Sequence, residues 1–207
     1  MNVLGKLENN KINKQRSLLN SAFELFTTKG VSKTSIAEIS SKAGMAKGTF
    51  YLYFKDKFDI RNRLISHESS LLFSSAVAAL DKELEKRSLN FTEKIIFLID
   101  NIINALDSNQ TLLNFISKNL SWGIFKEALT TNVADNDINF LDVYHQMIND
   151  DEVNLREPEM MLFLIVELIS STCYSAILYK EPADIETAKP FIYATVRNII
   201  KEHTIVE

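Results

Sequence analysis

The sequence predicts an all-α protein, and three features of it support this fold class. Only 5 glycines and 3 prolines occur in 207 residues, too few for the many tight turns of an all-β fold. Apolar residues recur at helical spacing along most of the chain. Hydrophobic residues make up 46% of the sequence, which is enough to form a packed core.

The first predicted helix begins near Lys11, after residues 1–10, which we expect to be frayed. Apolar side chains that include Phe23 and Phe26 recur on one of its faces. Gly30 follows the last turn and is typical of a glycine that ends a helix in the left-handed region.

Two shorter helices follow. Ser35, with Glu38 three residues later, predicts a capping box at the start of the second helix, and Gly44 breaks that helix. A third helical segment covers about residues 46–53. Two short helices joined by a turn that contains glycine are typical of a helix-turn-helix, so we assign residues 1–56 to a DNA-binding domain.

The remaining residues, 57–207, are predicted to form a helical bundle. Proline at a helix start carries no penalty, which favours a helix that opens at Pro158. The predicted helices cover about residues 57–87, 91–106, 110–119, 121–131, 137–149, 158–180 and 184–203.

The net charge of −4 conceals a difference between the two parts of the chain. Residues 1–60 contain ten Lys and Arg against five Asp and Glu, whereas the remainder contains 13 basic and 22 acidic residues. A basic head on an acidic body favours contact between the head and a polyanion. Ordinary variation of charge along a chain explains the same numbers, and composition leaves both interpretations open.

Composition also limits the class of protein. The single cysteine, Cys173, excludes an internal disulfide and a cysteine-based zinc site, and its apolar surroundings favour a core position. No signal peptide is apparent, and the longest apolar stretch, Met160–Val166, is too short to span a bilayer. We therefore expect a soluble, cytoplasmic protein with no cofactor, no metal site and no membrane partner.

Several residues of the head carry groups suited to DNA. The ammonium of Lys47 can pair with phosphate, Gly48 lets the backbone approach the duplex, and Thr49 offers a hydroxyl and a methyl group. Thr34 and Ser35 are predicted to present the N-terminus of the second helix to a phosphate, because its free N–H groups and dipole favour an anion.

The aromatic cluster that follows has two interpretations. Tyr51 and Tyr53 offer long phenol donors that reach flanking phosphates, and Lys55 lies where the chain leaves the groove. The alternative is that all four aromatic residues belong to the core. We adopt that alternative for Phe50 and Phe54 and assign DNA contacts to the two tyrosines.

The segment that carries these residues has a distinctive order. Residues 36–57 read IAEISSKAGMAKGTFYLYFKDK, which closely resembles the signature of the TetR (tetracycline repressor) family. Ala-Gly, Lys-Gly-Thr, Tyr-x-Tyr-Phe and Lys-x-Lys occur in fixed register, and the resemblance covers about residues 11–58. One departure is Ala46, where the family often has a serine that caps the recognition helix.

The resemblance implies a transcriptional regulator. It implies an Ω-shaped homodimer with about nine helices per chain that binds a palindromic, double-stranded operator. It also implies repression, and release by an unidentified small-molecule effector held in the C-terminal domain.

Two apolar helices near the C-terminus are predicted to form the dimer interface. Paired with their copies from a second chain, they would close a four-helix contact with two-fold symmetry, although a monomeric core would need the same apolar residues. The predicted interface residues are Met161, Ile165, Leu168, Ile185, Ile192, Val196 and Ile199.

An effector pocket is expected between the helices of the body. Ordinary core packing remains the alternative for each candidate. Glu167 interrupts an apolar helix, so it would serve a cationic ligand or pair across the dimer. The candidate pocket residues are Phe97, Asn101, Phe115, Trp122, Phe125, Tyr144, Phe163, Glu167 and Tyr174.

Two other functions compete with ligand-controlled repression. An enzyme is disfavoured, because the sequence has no glycine-rich phosphate loop, no His-Glu-x-x-His and no Gly-x-Ser-x-Gly motif. A structural DNA-binding protein would share the head but would need no ligand. It predicts a body without a cavity, whereas a ligand-controlled repressor predicts a cavity of roughly several hundred Å3.

Overall fold

The computed structural model describes residues 3–119, 123 and 140–205 of the chain. Over these residues the protein is all-helical, as predicted, and no strand is formed. The helices are α1 (Val3–Lys29), α2 (Ile36–Lys42), α3 (Lys47–Phe50), α4 (Lys57–Leu84), α5 (Phe91–Ser108), α6 (Gln110–Asn119), α7 (Phe140–Asp150), α8 (Pro158–Leu178) and α9 (Ile185–His203).

The chain forms two compact units, Met1–Ile65 and Ser66–Glu207. The boundary between them lies inside α4, whereas the sequence placed it at the start of that helix, after residue 56. Ile60 and Leu64 explain the difference, because both side chains are buried in the first turns of α4. Burial of these turns makes them part of the N-terminal unit.

The first helix is longer than predicted. It begins at Val3, so the expectation that residues 1–10 are frayed was wrong for residues 3–10. The expectation rested on the lack of an apolar face, but a helix without an internal proline can extend beyond its packed part. The other end agrees with the sequence: the Gly30 N–H donates to the Phe26 carbonyl at 3.0 Å, and Gly30 has a φ of 85°.

The core of the N-terminal unit brings together apolar residues from all three of its first helices. Leu18 and Phe26 of α1, Ile39 of α2 and Phe50 of α3 are buried, as is Phe54 in the turn after α3. The core positions predicted for Phe50 and Phe54 are therefore confirmed. Packing of α2 against both α1 and α3 holds the short α3 in place.

The C-terminal unit is built around α8, which packs against α5, α6 and α9. The helices predicted over residues 91–106, 110–119, 158–180 and 184–203 are confirmed with small shifts of their ends. The predicted helix over residues 121–131 lies outside the described residues. The last described residues are tied down, because the Ile205 N–H donates to the Asn154 carbonyl at 2.8 Å.

By length and composition, α8 is apolar enough to cross a membrane, with a mean hydropathy of 1.9. A core helix of a soluble protein passes the same test, and α8 contributes to the core of its unit. Cys173 is among its buried residues, and burial raises the pKa of the thiol to about 12. The buried residues of α8 are Met161, Leu162, Ile165, Ile169, Cys173, Ala176 and Ile177.

A mostly buried ion pair connects two helices of this unit. The Lys94 ammonium, in the first turn of α5, lies 2.7 Å from the Asp151 Oδ1 atom just after α7. Both side chains are at least four-fifths buried. The second carboxylate oxygen, Oδ2 of Asp151, is buried and has no hydrogen-bond partner among the described residues, so the carboxylate depends on Lys94.

Candidate nucleic-acid interface

The predicted capping box at the start of α2 is present. The Ser35 hydroxyl accepts a hydrogen bond from the Glu38 N–H at 3.2 Å, and the Ser35 N–H donates to Glu38 Oε2 at 2.9 Å. The hydrogen bond from Lys29, followed by those from Ser35, holds the pKa of Glu38 at about 2. Because this pKa is lowered, the stabilisation is complete above the ordinary pKa of 4.5 and is lost as the pH falls toward 2.

Gly44 forms the turn between α2 and α3. Its φ of 69° lies in the left-handed region, which glycine adopts without the penalty that other residues carry. The Met45 N–H donates to the Ser40 carbonyl at 2.9 Å across this turn. The turn thereby sets α3 directly after α2, as a helix-turn-helix requires.

The segment formed by α3 and the turn at residues 51–53 has one packed side. Phe50 and Phe54 are buried, with ring centroids 5.5 Å apart. The rings of Phe50 and Tyr51 pack edge to face, with their centroids 5.6 Å apart. Ala46 forms no side-chain cap at the start of α3, as expected because the alanine side chain has no hydrogen-bonding group.

The opposite side of this segment faces away from the core. Lys47, Gly48 and Lys55 are exposed, and the Tyr51 side chain is 51% exposed; Thr49 and Tyr53 are half-buried. In the described part of the chain, no acidic side chain pairs with the ammonium of Lys47 or Lys55. This leaves two uncompensated positive charges on the outer side.

Gly48 is not required by the fold. A Cβ atom at this position would meet no heavy atom of the described residues within 4 Å, and the φ of Gly48 lies outside the left-handed region. Glycine costs roughly 0.5–1 kcal/mol relative to alanine inside a helix. A residue that weakens its own helix without relieving any contact in the chain indicates a need for close approach from outside.

The structure limits what the side chains of two predicted DNA-contact residues can do, while the contact predicted through the N-terminus of α2 stays a prediction. Thr34 is only 2% exposed and its hydroxyl donates to the Gly30 carbonyl at 2.9 Å, so its side chain is not available to a phosphate. Ser35 is exposed, but its hydroxyl already bonds to Glu38. The sequence could not show this, because burial of Thr34 depends on how the turn after α1 folds back.

Two residues of the head have roles that sequence reasoning missed. The Lys57 ammonium donates to the carbonyls of Val31, Ser32 and Thr34 at 2.9, 3.1 and 3.2 Å, which ties the α1–α2 connection to α4. Leu52 is 78% exposed between the two tyrosines. The position of Leu52 between two tyrosines could have indicated that it is exposed. Nothing in the sequence indicated the hydrogen bonds of Lys57.

The C-terminal unit contains a cavity of about 110 Å3, smaller than the several hundred Å3 expected. Among the predicted pocket residues that the structure describes, Tyr144 is the one that lines it. The described lining residues are Ser69, Leu72, Phe73, Ile95, Leu98, Ile99, Ile102, Leu106, Leu113, Ile116, Ser117, Tyr144, Leu162, Ile165, Val166, Ile169 and Ser170.

The other predicted pocket residues lie elsewhere or outside the described part. Glu167 is exposed, and the Tyr174 hydroxyl bonds to the hydroxyl of Tyr179 at 3.0 Å. The Asn101 side-chain amide donates to the Phe97 carbonyl of its own helix at 2.9 Å. Phe97, Asn101, Phe115, Phe163, Glu167 and Tyr174 do not line the cavity, and Trp122 and Phe125 fall outside the described residues.

Most of the predicted dimer residues face the interior of their own chain, which corrects the predicted contact face. Leu168 and Ile199 are half-buried. The apolar residues exposed on α8 and α9 are instead Met160, Leu164 and Phe191, the last of them 73% exposed. The predicted interface residues buried within the monomer are Met161, Ile165, Ile185, Ile192 and Val196.

Residues 18–64 match the family described as bacterial regulatory proteins, tetR family. This range contains the second half of α1, all of α2 and α3 and the first turns of α4, and thus the outward-facing segment described above. The match therefore covers the helix-turn-helix and stops near the end of the N-terminal unit.

Curated relatives extend the similarity beyond the head. The chain is 25% identical over 185 residues to the HTH-type transcriptional regulator YerO of Bacillus subtilis, covering 75% of this chain and 63% of that protein. It is 32% identical over 97 residues to the regulator AcrR of Shigella flexneri, covering 47% and 42%. The chain thus spans less than two thirds of the length of these relatives.

Solved structures match nearly the whole chain. A tetR family transcription regulator from Shewanella has a TM-score of 0.64 at 15% identity and covers 93% of this chain and 99% of its own. FadR of Bacillus subtilis, solved in complex with stearoyl-CoA, has a TM-score of 0.59 at 17% identity, covering 87% and 96%. These identities establish a shared fold.

Proposed function

We propose, from the premise that this chain is a transcriptional regulator of the tetR family, that it binds a palindromic operator as a homodimer in the cytoplasm. Binding represses transcription, and a small molecule held in the C-terminal unit releases the operator. The outer side of α3 supplies the contacts to the major groove.

The observation that carries this proposal is the pairing of Lys47 with Gly48. Among the described residues, an exposed ammonium without an acidic partner lies beside a glycine that no contact explains. Phosphate needs a cation, and a closely approaching backbone needs the absence of a side chain. A duplex meets both conditions at once.

Gly48→Ala tests the proposal. The variant should remain folded and gain up to about 1 kcal/mol of stability, because alanine favours a helix. Its operator affinity should fall about tenfold or more, because the new methyl group displaces a backbone–phosphate contact worth about 1 kcal/mol in each half-site. Fluorescence anisotropy with the palindrome upstream of the gene measures the loss.

Gly123→Ala is the matched control. It also adds a methyl group into open space, but outside the head, so its operator affinity should equal that of the native protein. Undiminished binding by Gly48→Ala, with the palindrome occupied, would place the duplex on another surface.

The exposed apolar residues of α8 and α9 support a dimer. Met160 and Leu164 lie one helical turn apart on α8, and Phe191 projects from α9. Two recognition helices that read half-sites roughly 34–36 Å apart need a two-fold partner. We place the dimer contact on this outer face and retain Leu168 and Ile199, which are half-buried, at its edge.

Phe191→Glu is expected to produce a monomer. An unpaired carboxylate at an apolar contact costs several kcal/mol, so the dimer dissociation constant should rise about 100-fold or more. Sedimentation velocity over a range of concentrations measures the change. Arg197→Glu, on another side of α9 and also exposed, should remain dimeric; a dimeric Phe191→Glu would remove this face from the interface.

A further inference from the structure

The residues that line the cavity in the C-terminal unit determine which kind of ligand fits it. We infer that this cavity accepts a neutral, unbranched aliphatic chain with a weakly polar end, such as an alcohol, ester or thioester, and that it excludes ligands with a fixed positive charge. The inference rests on the proposed function, in which this unit holds the effector. Charge, polar groups and size of the cavity each support it.

The greater part of the wall is aliphatic. Leu98 and Ile99 of α5, Leu113 of α6 and Ile165 of α8 are all buried and face the same space. Each methylene group that moves from water into such surroundings gains about 0.8 kcal/mol. An alkyl chain is therefore stabilised in proportion to its length.

None of the described residues that line the cavity is charged. Glu167, the carboxylate that the sequence offered to a cation, is exposed and lies outside the lining. A cationic ligand would lose its hydration without gaining a counter-ion, which is strongly unfavourable in an apolar site. The described part of the wall thus selects against a fixed positive charge.

Three serines provide the polar groups of the wall. Ser69 is nine-tenths buried, whereas Ser117 and Ser170 are half-buried. Within the described part of the chain, none of their hydroxyls takes part in a hydrogen bond of the protein. The Tyr144 hydroxyl, in contrast, already donates to the Pro158 carbonyl at 3.0 Å. The serine hydroxyls are suited to a neutral oxygen or carbonyl group.

The size of the cavity favours a slender molecule. Its volume of about 110 Å3 is below the roughly 300–1,000 Å3 typical of sites for drug-sized ligands. Half-buried lining residues such as Val166 leave room for a chain to extend past the wall. A molecule with several fused rings would require a larger rearrangement of the packed helices.

Calorimetric titration of the full-length protein with a matched pair of probes tests the inference. Octan-1-ol carries a neutral hydroxyl, and octyltrimethylammonium carries the same chain with a fixed cation. We expect octan-1-ol to bind about tenfold or more tightly than the ammonium, since the cation finds no partner. From hexan-1-ol to octan-1-ol, affinity should rise about fifteenfold, which corresponds to two buried methylenes.

Variants locate the binding. Ser117→Phe and Ser170→Phe fill the cavity from two different helices and should each weaken octan-1-ol binding about tenfold or more. Thr111→Phe places the same ring on an exposed position of α6 and should bind as the native protein does. Circular dichroism identifies a variant that fails to fold, and the other cavity variant then decides the result.

The result separates this inference from the proposed function. Equal or tighter binding of the ammonium, or full binding of octan-1-ol by a folded cavity variant, would overturn the inference. Operator binding by the same ligand-free samples is an independent measurement. Absence of operator binding would contradict the proposed function, whereas the alcohol titration would still report on the cavity.

Discussion

Replacement of both Lys47 and Tyr51 by alanine is expected to abolish specific operator binding. Both side chains lie on the outer side of the α3 segment, and neither ring nor ammonium is buried in the core. Hydrogen bonds to charged groups contribute about 1.5–3 kcal/mol each, and a dimer loses two from each subunit. The affinity should therefore fall about a thousandfold or more.

The dependence of binding on salt should change with the affinity. Each lysine that contacts a phosphate releases counterions, and the slope of log affinity against log salt is about −0.9 per contact. Loss of Lys47 from both subunits should make this slope less steep by about 2. Fluorescence anisotropy at several salt concentrations measures both quantities.

Lys82→Ala is a suitable control for this double variant. Lys82 is exposed on the part of α4 that belongs to the C-terminal unit, so its loss should leave both the affinity and the salt slope unchanged. The double variant should also remain a dimer with native helix content. A folded dimer that keeps its affinity without Lys47 and Tyr51 would refute the assignment of α3 as the recognition helix.

Lys94→Met is expected to destabilise the C-terminal unit by about 3 kcal/mol, because it leaves the mostly buried Asp151 carboxylate unpaired. In the described part of the chain the Oδ2 atom of Asp151 has no hydrogen-bond partner, so no hydrogen bond seen there compensates for the loss. Thermal unfolding should occur about 10 °C lower, and urea unfolding should show the same loss of free energy.

Two further variants distinguish a lost ion pair from a general effect of methionine. Lys94→Met combined with Asp151→Leu removes both charges and should recover most of the stability. Lys86→Met removes an exposed lysine that pairs with Glu83 and should change stability by no more than about 0.5 kcal/mol. Equal stability of Lys94→Met and the native protein would show that the pair contributes nothing.

The sequence correctly predicted features that depend on near neighbours in the chain. The capping box of Ser35 and Glu38, the left-handed Gly30, the turn at Gly44 and the buried Phe50 all follow from residues a few positions apart. Such features depend on local backbone geometry and helical period, which a sequence contains in full. The resemblance of the head to the tetR family rests on the same short-range register.

The sequence could not predict contacts between residues far apart. Lys57 bonds to carbonyls more than twenty positions earlier, and Lys94 pairs with Asp151 on another helix. Neither partner is marked by spacing or composition. The sequence missed the burial of the Thr34 side chain for the same reason, since it follows from the packing of the turn around it.

The sequence by itself determined an all-helical chain with a helix-turn-helix head, because helical periodicity and caps are local. Only the tertiary structure decided which faces of α8 and α9 are buried and which side chains line the cavity. The reason is physical: α8 is apolar on nearly every side, so its period points to no single face. The packing of its neighbours buried Met161 and Ile165 and left Met160 and Leu164 exposed.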